Sequence, residues 1–243
     1  MQSLSISSFT RSRFQRDGYL VIDEFVDHDM LARLRASADL AFQQVVDGTL
    51  AARATHPRLT WWRLPDGRPY VFKIKPVLDL AAAFTEATLS DALRSLASAI
   101  LGVDAVLMED KVTYKTALTD EARWADLPVL GEDVRKHSDA AYFTARGFGR
   151  VVTVALCLDD CPAAAGALRV WPGSHERPIR HEPTRNQGPV VVDEDAPEKQ
   201  TVTLEAAAGT LLAWDAALVH ASGPNSTGKP RRLLVLGYTA SSA

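Results

Sequence analysis

From residue 104 onward the chain is a succession of short apolar stretches, each cut off by proline, glycine or polar residues before it reaches helical length. They lie at 105–115, 151–158, 167–171, 189–192, 201–204, 210–214, 218–222 and 232–239. Runs of this length, bounded by turn residues, read as β-strands, and so many in succession point to a sandwich, a jelly roll or a barrel.

The first third is different. Gly18-Tyr-Leu-Val-Ile-Asp23 reads as a strand. Asp29 is expected to cap a helix whose stripe is Met30, Leu31, Leu34, Phe42, Val45 and Val46, stopped by Gly48. A second helix follows Ser90, with Leu93, Leu96, Ala97, Ile100 and Leu101 periodic and Gly102 at its end. Between them, the piece from Trp61 to Gly67 reads as turn-rich and 70–75 as a strand. Helices of this kind buttress one face of a β-core, so the expected class is α+β, mainly β. No repeat or linker divides the chain. The expectation is a single domain over 1–243, with 1–13 a ragged N-terminus and long polar loops at 116–136 and 176–188.

Charge excludes some partners. With 27 basic and 30 acidic residues the formal charge is −3, which offers no global field for nucleic acid or an anionic membrane. No apolar run approaches the roughly 18–20 residues of a membrane span. Two cysteines, Cys157 and Cys161, cannot build a disulfide framework and read as reduced thiols. The first 16 residues hold no apolar leader, so secretion is not expected and a cytoplasmic protein is.

Six histidines are present, of which His28 and His56 sit beside turn-like sequence. His137-Ser-Asp139 is more informative, because residues i and i+2 of a strand share a face and would present an imidazole and a carboxylate to one ion. His220, in a late strand, offers a third ligand. Two imidazoles and one carboxylate form the facial triad of non-haem Fe(II) oxygenases. The pair alone fits a surface or helix-capping role better than a metal site, and the distal residues shift that balance. Arg231, eleven residues after His220, reads either as a two-point carboxylate clamp or as a solvated strand edge. On the strand 105–115, Glu109, Lys111 and Thr113 share a polar face with Lys115, while Val106, Met108, Val112 and Tyr114 share an apolar one, with Asp110 the exception. Ser174-His175 lacks a nucleophile elbow and reads as a structural turn, His181 as solvated, and Cys157-x3-Cys161 as poor zinc spacing.

Four segments together resemble the phytanoyl-CoA dioxygenase-like proteins: Phe14-Gln-Arg-Asp-Gly-Tyr-Leu-Val-Ile, His137-Ser-Asp-Ala-Ala-Tyr-Phe143, Gly166-Ala-Leu-Arg-Val-Trp-Pro-Gly-Ser-His175, and His220-Ala-Ser-Gly-Pro-Asn225 with Arg231. They occur in the family's order and span 14–238. Ser138 stands where relatives often have Gln, and the loop before His137 is longer than in many of them. The resemblance implies a double-stranded β-helix (jelly roll, cupin-like) core holding Fe(II) through His137, Asp139 and His220. It implies 2-oxoglutarate and O2 as co-substrates. It further implies that Arg231 and Ser222 hold the far carboxylate of 2-oxoglutarate, with Thr113 and Lys111 adding contacts. Arg231 is expected to face the barrel and Arg232 to face outwards.

The implied function is hydroxylation of an unactivated carbon of a small metabolite, in a biosynthetic pathway. Desaturation, epimerisation or ring closure, or a non-catalytic cupin-like binding module, are the alternatives. Halogenation is disfavoured because Asp139 keeps the carboxylate that halogenases of this type replace. The loop 116–136 is expected to act as a lid, with Trp124, Leu127, Val129 and Leu130 as apolar anchors.

Overall fold

The computed structural model describes residues 8–49, 55–64, 67, 69–117, 134–183 and 189–241. Its first element, helix α1 (Ser8–Asp17), begins inside the stretch expected to be ragged. Phe14, only 1% exposed, anchors it to the core. Strand β1 (Tyr19–Ile22) follows. Helix α2 (His28–Phe42) is capped by Asp27 rather than Asp29. Asp27 has the extended backbone a cap needs, and its carboxylate accepts from the Met30 amide at 2.9 Å. Gly48 does not stop this helix. The chain widens into a π-turn over Gln43–Asp47, and Gly48 keeps right-handed helical angles.

Strands β2 (Leu59–Arg63) and β3 (Pro69–Ile74) form a hairpin where Trp61 and Trp62 were expected in a turn. Trp62 pairs with Tyr70 in register and lies 6.1 Å from its ring and 5.8 Å from that of Phe72, so cross-strand aromatic packing outweighs the neighbouring turn residues. Helix α3 (Ala82–Thr88) is too short and alanine-rich to show a period in sequence. Helix α4 (Asp91–Leu101) runs as expected, from the Ser90 cap to Gly102 in the left-handed conformation at φ 78°.

Strands β4 (Ala105–Thr113) and β5 (Val134–His137) lead into the short helix α5 (Ala140–Ala145). The remaining strands are β6 (Val151–Cys157), β7 (Leu168–Val170), β8 (His181–Glu182), β9 (Val190–Val191), β10 (Val202–Leu204), β11 (Leu211–Asp215), β12 (His220–Ser222) and β13 (Leu233–Ala240). β5 begins inside the expected 116–136 loop and β8 lies inside the 176–188 loop. Residues 118–133, with Trp124 and the proposed lid anchors, lie outside the described residues.

The strands form an antiparallel sheet ordered β1-β11-β6-β13-β4-β3-β2 and a smaller one ordered β10-β7-β12-β5, with β8-β9 as a separate ribbon. This is the double-stranded β-helix core, with helices on one side. The central strands β11, β6 and β13 of the large sheet are buried on both faces. Val152, Val154, Leu156, Leu234 and Leu236 pack against Leu34, Phe84 and Leu96 of the helices. Ala155, Cys157, Leu233 and Val235 instead meet Leu168, Val170 and Leu204 of the small sheet. Burial on both faces explains why β6 and β13 read as unbroken apolar runs.

β4 departs from simple alternation. Glu109 pairs with Gly237 and Leu107 with Tyr238, so Met108 is an extra residue, a bulge. Ala105 and Leu107 face the helices before it, and Val112 and Tyr114 after it. Val106, expected on the apolar face, is therefore 42% exposed. Asp110 is accommodated on the helix side because its carboxylate accepts from the amide of Leu78 at 3.1 Å and from that of Val77. Lys111 and Thr113 stand opposite Val235 and Leu233, and so share their inner face.

Candidate metal and co-substrate site

His137 closes β5 and stands directly opposite His220, the first residue of β12. The imidazole centroids are 4.3 Å apart. Asp139 is not on the strand, as the i, i+2 reading assumed. It has right-handed helical angles and occupies the N-cap of α5. The turn from strand to helix, rather than strand alternation, swings its carboxylate back. Oδ1 lies 3.6 Å from His137 Nε2 and Oδ2 lies 3.7 Å from His220 Nε2. One ligand atom from each residue falls within 4.8 Å of the other two.

Each imidazole is oriented by the backbone. His137 Nδ1 lies 2.8 Å from the Arg135 carbonyl, and His220 Nδ1 lies 3.0 Å from that of Leu218. A carbonyl can only accept, so Nδ1 carries the proton in both rings. The lone pair of each Nε2 is left pointing at Asp139. This donor set fits a divalent metal. The electrostatics agree: burial pushes the Asp139 pKa up, but His220 and His137 outweigh it and hold the carboxyl well below its usual range. Burial and the neighbouring His137 press His220 down to about 4, which favours the neutral ring, whereas at His137 burial is outweighed by the Asp139 carboxylate, which raises that imidazole.

The residues expected at the far carboxylate of 2-oxoglutarate gather at the other end of the inner face. Arg231 is 5% exposed, donates from Nη2 to the Gly166 carbonyl at 3.1 Å, and leaves a buried Nε without a partner among the described residues. Ser222 Oγ accepts from Lys115 Nζ at 2.6 Å, and Lys115 is itself 2% exposed. Thr113 Oγ1 is likewise buried and, among the described residues, without a hydrogen bond. A buried guanidinium, a buried ammonium and unsatisfied polar atoms suit an incoming carboxylate. Lys115 was visible in the sequence only as the last member of the polar alternation on β4. Gly166 is required here. Its φ is +73°, and a Cβ would meet the Gly223 carbonyl at 2.3 Å and Lys115 Cε at 2.8 Å.

Arg232 does lie on the opposite side from Arg231, but it does not face outwards. It is 9% exposed, and it binds Asp159 through Nε at 2.8 Å and Nη2 at 2.9 Å, and Asp39 of α2 through Nη1 at 2.5 Å. Lys111 donates to Glu109 at 2.6 Å. His181, expected to be solvated, approaches Ser138 Oγ to 3.0 Å through Nε2. Ser174 Oγ accepts from the Val219 amide at 2.9 Å, while His175 bonds the Gln15 carbonyl through Nε2, so the two side chains serve separate structural contacts. Cys157 and Cys161 are free and buried.

The family model described as phytanoyl-CoA dioxygenase matches residues 14–233. No curated protein matches the chain. Among solved structures, AviO1 from Streptomyces viridochromogenes Tue57 is 23% identical, with a TM-score of 0.72 over 99% of this chain and 98% of its own. EvdO2 from Micromonospora carbonacea var. aurantiaca, solved with 2-oxoglutarate, is 23% identical, with a TM-score of 0.73 over 100% and 94%. The epimerase SnoN, solved with Fe3+, α-ketoglutarate and nogalamycin RO, is 21% identical, with a TM-score of 0.67 over 95% and 82%. Among the described residues, no helix is long and apolar enough to cross a membrane.

Proposed function

The chain belongs to the phytanoyl-CoA dioxygenase family of Fe(II)- and 2-oxoglutarate-dependent oxygenases, and from that premise we propose that it hydroxylates an unactivated carbon of a small metabolite in a biosynthetic pathway. In this reading His137, Asp139 and His220 hold the metal. Arg231 and Ser222 hold the far carboxylate of 2-oxoglutarate, with Thr113 and Lys111 lining its path. The observation that carries the proposal is the convergence of the two Nε2 lone pairs on the Asp139 carboxylate, each ring locked by a backbone carbonyl.

When bound, Fe(II) and 2-oxoglutarate supply activation of O2, with oxidative decarboxylation to succinate and CO2 coupled to oxidation of a C–H bond. The chain's own residues do the positioning. His137 and His220 would present neutral nitrogens and Asp139 one negative charge, so a divalent ion held by them would keep a net positive charge toward the co-substrate. Arg231 and Lys115 bring two buried cations to a dianionic co-substrate, and Ser222, already bonded to Lys115, offers its remaining hydroxyl capacity. The Trp214 ring centroid lies 5.7 Å from that of His220, so an aromatic side chain packs beside this imidazole. A reducing compartment such as the cytoplasm suits the two free thiols.

A second outcome of the same chemistry, epimerisation, draws support from the likeness to SnoN, an epimerase. One experiment tests both. The purified protein is supplied with Fe(II), 2-oxoglutarate and O2, and small metabolites are screened by succinate release. Products are then weighed by mass spectrometry. Gain of one oxygen is expected, whereas an unchanged mass with altered stereochemistry selects epimerisation. Absence of iron uptake and of 2-oxoglutarate binding would sink the reading.

A further inference from the structure

Glu109 on β4 is 6% exposed and is surrounded by cations. Lys75 Nζ bonds one carboxylate oxygen, Lys111 Nζ bonds the other at 2.6 Å, and Arg146 Nη1 lies 3.7 Å away. Lys73 stands on the same side and feels Lys111 and Lys75 as like charges. Burial first and those charges second press its ammonium down to about 8. Among the described residues no second acid forms an ion pair with Lys73, Lys75, Lys111 or Arg146. Asp139 of the metal centre is the other acid whose charge reaches Lys73 and Lys111, so two carboxylates face these four cations and the patch keeps an excess of positive charge. Like charges gathered this closely repel, a cost that an incoming anion relieves.

An aromatic platform adjoins these charges. Tyr142 is 53% exposed although it is large and apolar. It sits one turn after Asp139 on α5, so the helix that presents the carboxylate of the metal centre also presents this ring. Arg146 Cζ lies 5.1 Å from the Tyr142 ring and 5.5 Å from that of Phe148, and its Nη1 donates to the Tyr142 hydroxyl at 3.1 Å. Lys75 Nζ lies 5.9 Å from the Tyr142 ring. These contacts hold the guanidinium in place while its side chain stays 43% exposed. Proximity to the metal centre is independently recorded by Lys111, whose charge acts on His137, Asp139 and His220.

We infer that Lys75 and Arg146, set around Glu109 beside Tyr142, seat an anionic group of the primary substrate, a carboxylate or a phosphate. The inference rests on the proposed oxygenase reading and narrows its substrate class. The two carboxylates of 2-oxoglutarate are provided for by the metal and by Arg231, so a third anionic seat belongs to the molecule being oxidised. Glu109 keeps the neighbouring ammonium groups fixed, and the anion meets the remaining positive charge.

The test uses the whole protein loaded anaerobically with Fe(II) and 2-oxoglutarate, with iron content and co-substrate uptake measured first. Phenylphosphate, benzoate and neutral phenol are then titrated calorimetrically at low salt. At least one anion is expected to bind about tenfold or more tightly than phenol, and the better anion identifies the substrate group as phosphate or carboxylate. Arg146→Ala and Lys75→Met are each expected to weaken that anion by about tenfold, with Arg146→Lys keeping most of the affinity. Arg146 is exposed enough that its loss does not threaten folding. Equal binding of phenol and both anions, no binding of either anion, or affinities unmoved by both substitutions would overturn the inference and leave the oxygenase reading standing. A protein that takes up neither iron nor 2-oxoglutarate overturns both.

Discussion

Lys115 Nζ lies 2.6 Å from Ser222 Oγ, joining a residue just past β4 to one on β12 across 107 positions of sequence. Both face the buried end where Arg231 meets the Gly166 carbonyl. The contact orients the Ser222 hydroxyl and adds a second cation to the seat proposed for the far carboxylate.

Ser222→Ala should therefore weaken 2-oxoglutarate without unfolding the protein. A hydrogen bond to a charged group contributes about 1.5–3 kcal/mol, so the apparent KM should rise roughly 10- to 150-fold. Equilibrium dialysis with labelled 2-oxoglutarate on the iron-loaded variant reads this directly. Unchanged affinity would remove Ser222 from the site.

Asp139→Ala and His220→Ala should lose metal. Each takes one donor from a set whose other members are already oriented, and a loss of about 10- to 100-fold or more in affinity or activity is expected. Iron content after anaerobic reconstitution, read beside succinate release, is the measurement. Wild-type iron retention and turnover in both variants contradict the assignment.

The two neighbouring arginines should separate cleanly. Arg231→Ala removes a buried carboxylate partner and should cost about 2–5 kcal/mol of co-substrate binding, or roughly 30- to several-thousand-fold in KM. Arg232→Ala leaves that seat intact but takes from Asp159 its bidentate partner, leaving it Arg35 at 3.7 Å. Breaking a buried pair typically costs about 3–5 kcal/mol. Arg232→Ala should thus lower Tm strongly while the folded fraction keeps its 2-oxoglutarate affinity. The opposite pattern reverses the roles given to the pair.

Gly166→Ala joins backbone strain to a clash with the Gly223 carbonyl. A non-glycine residue held in left-handed conformation costs about 1–3 kcal/mol before any clash is counted. Denaturant unfolding should show at least that loss. Because the Gly166 carbonyl anchors Arg231, a rise in 2-oxoglutarate KM should accompany it. A variant as stable as the parent argues that the loop relaxes freely.

Much of the architecture and the candidate site was legible along the chain. Ser90 and Gly102 mark the ends of α4 through rules that act within one helical turn, and the apolar runs of β6 and β13 announce strands buried on both faces. His137, Asp139, His220, Arg231 and Ser222 could be named from short motifs in order. The tertiary structure alone decided how they meet. Asp139 reaches the histidines through a strand-to-helix turn, and the Met108 bulge reverses the alternation of β4. Arg232 is buried by acids 73 and 193 positions away. Lys75 and Arg146 converge on Glu109 from 34 and 37 positions away. Local periodicity reports which way a side chain points within its own element. It carries no record of which charges the folded sheets bring within a few ångströms, and that separation governs their interaction.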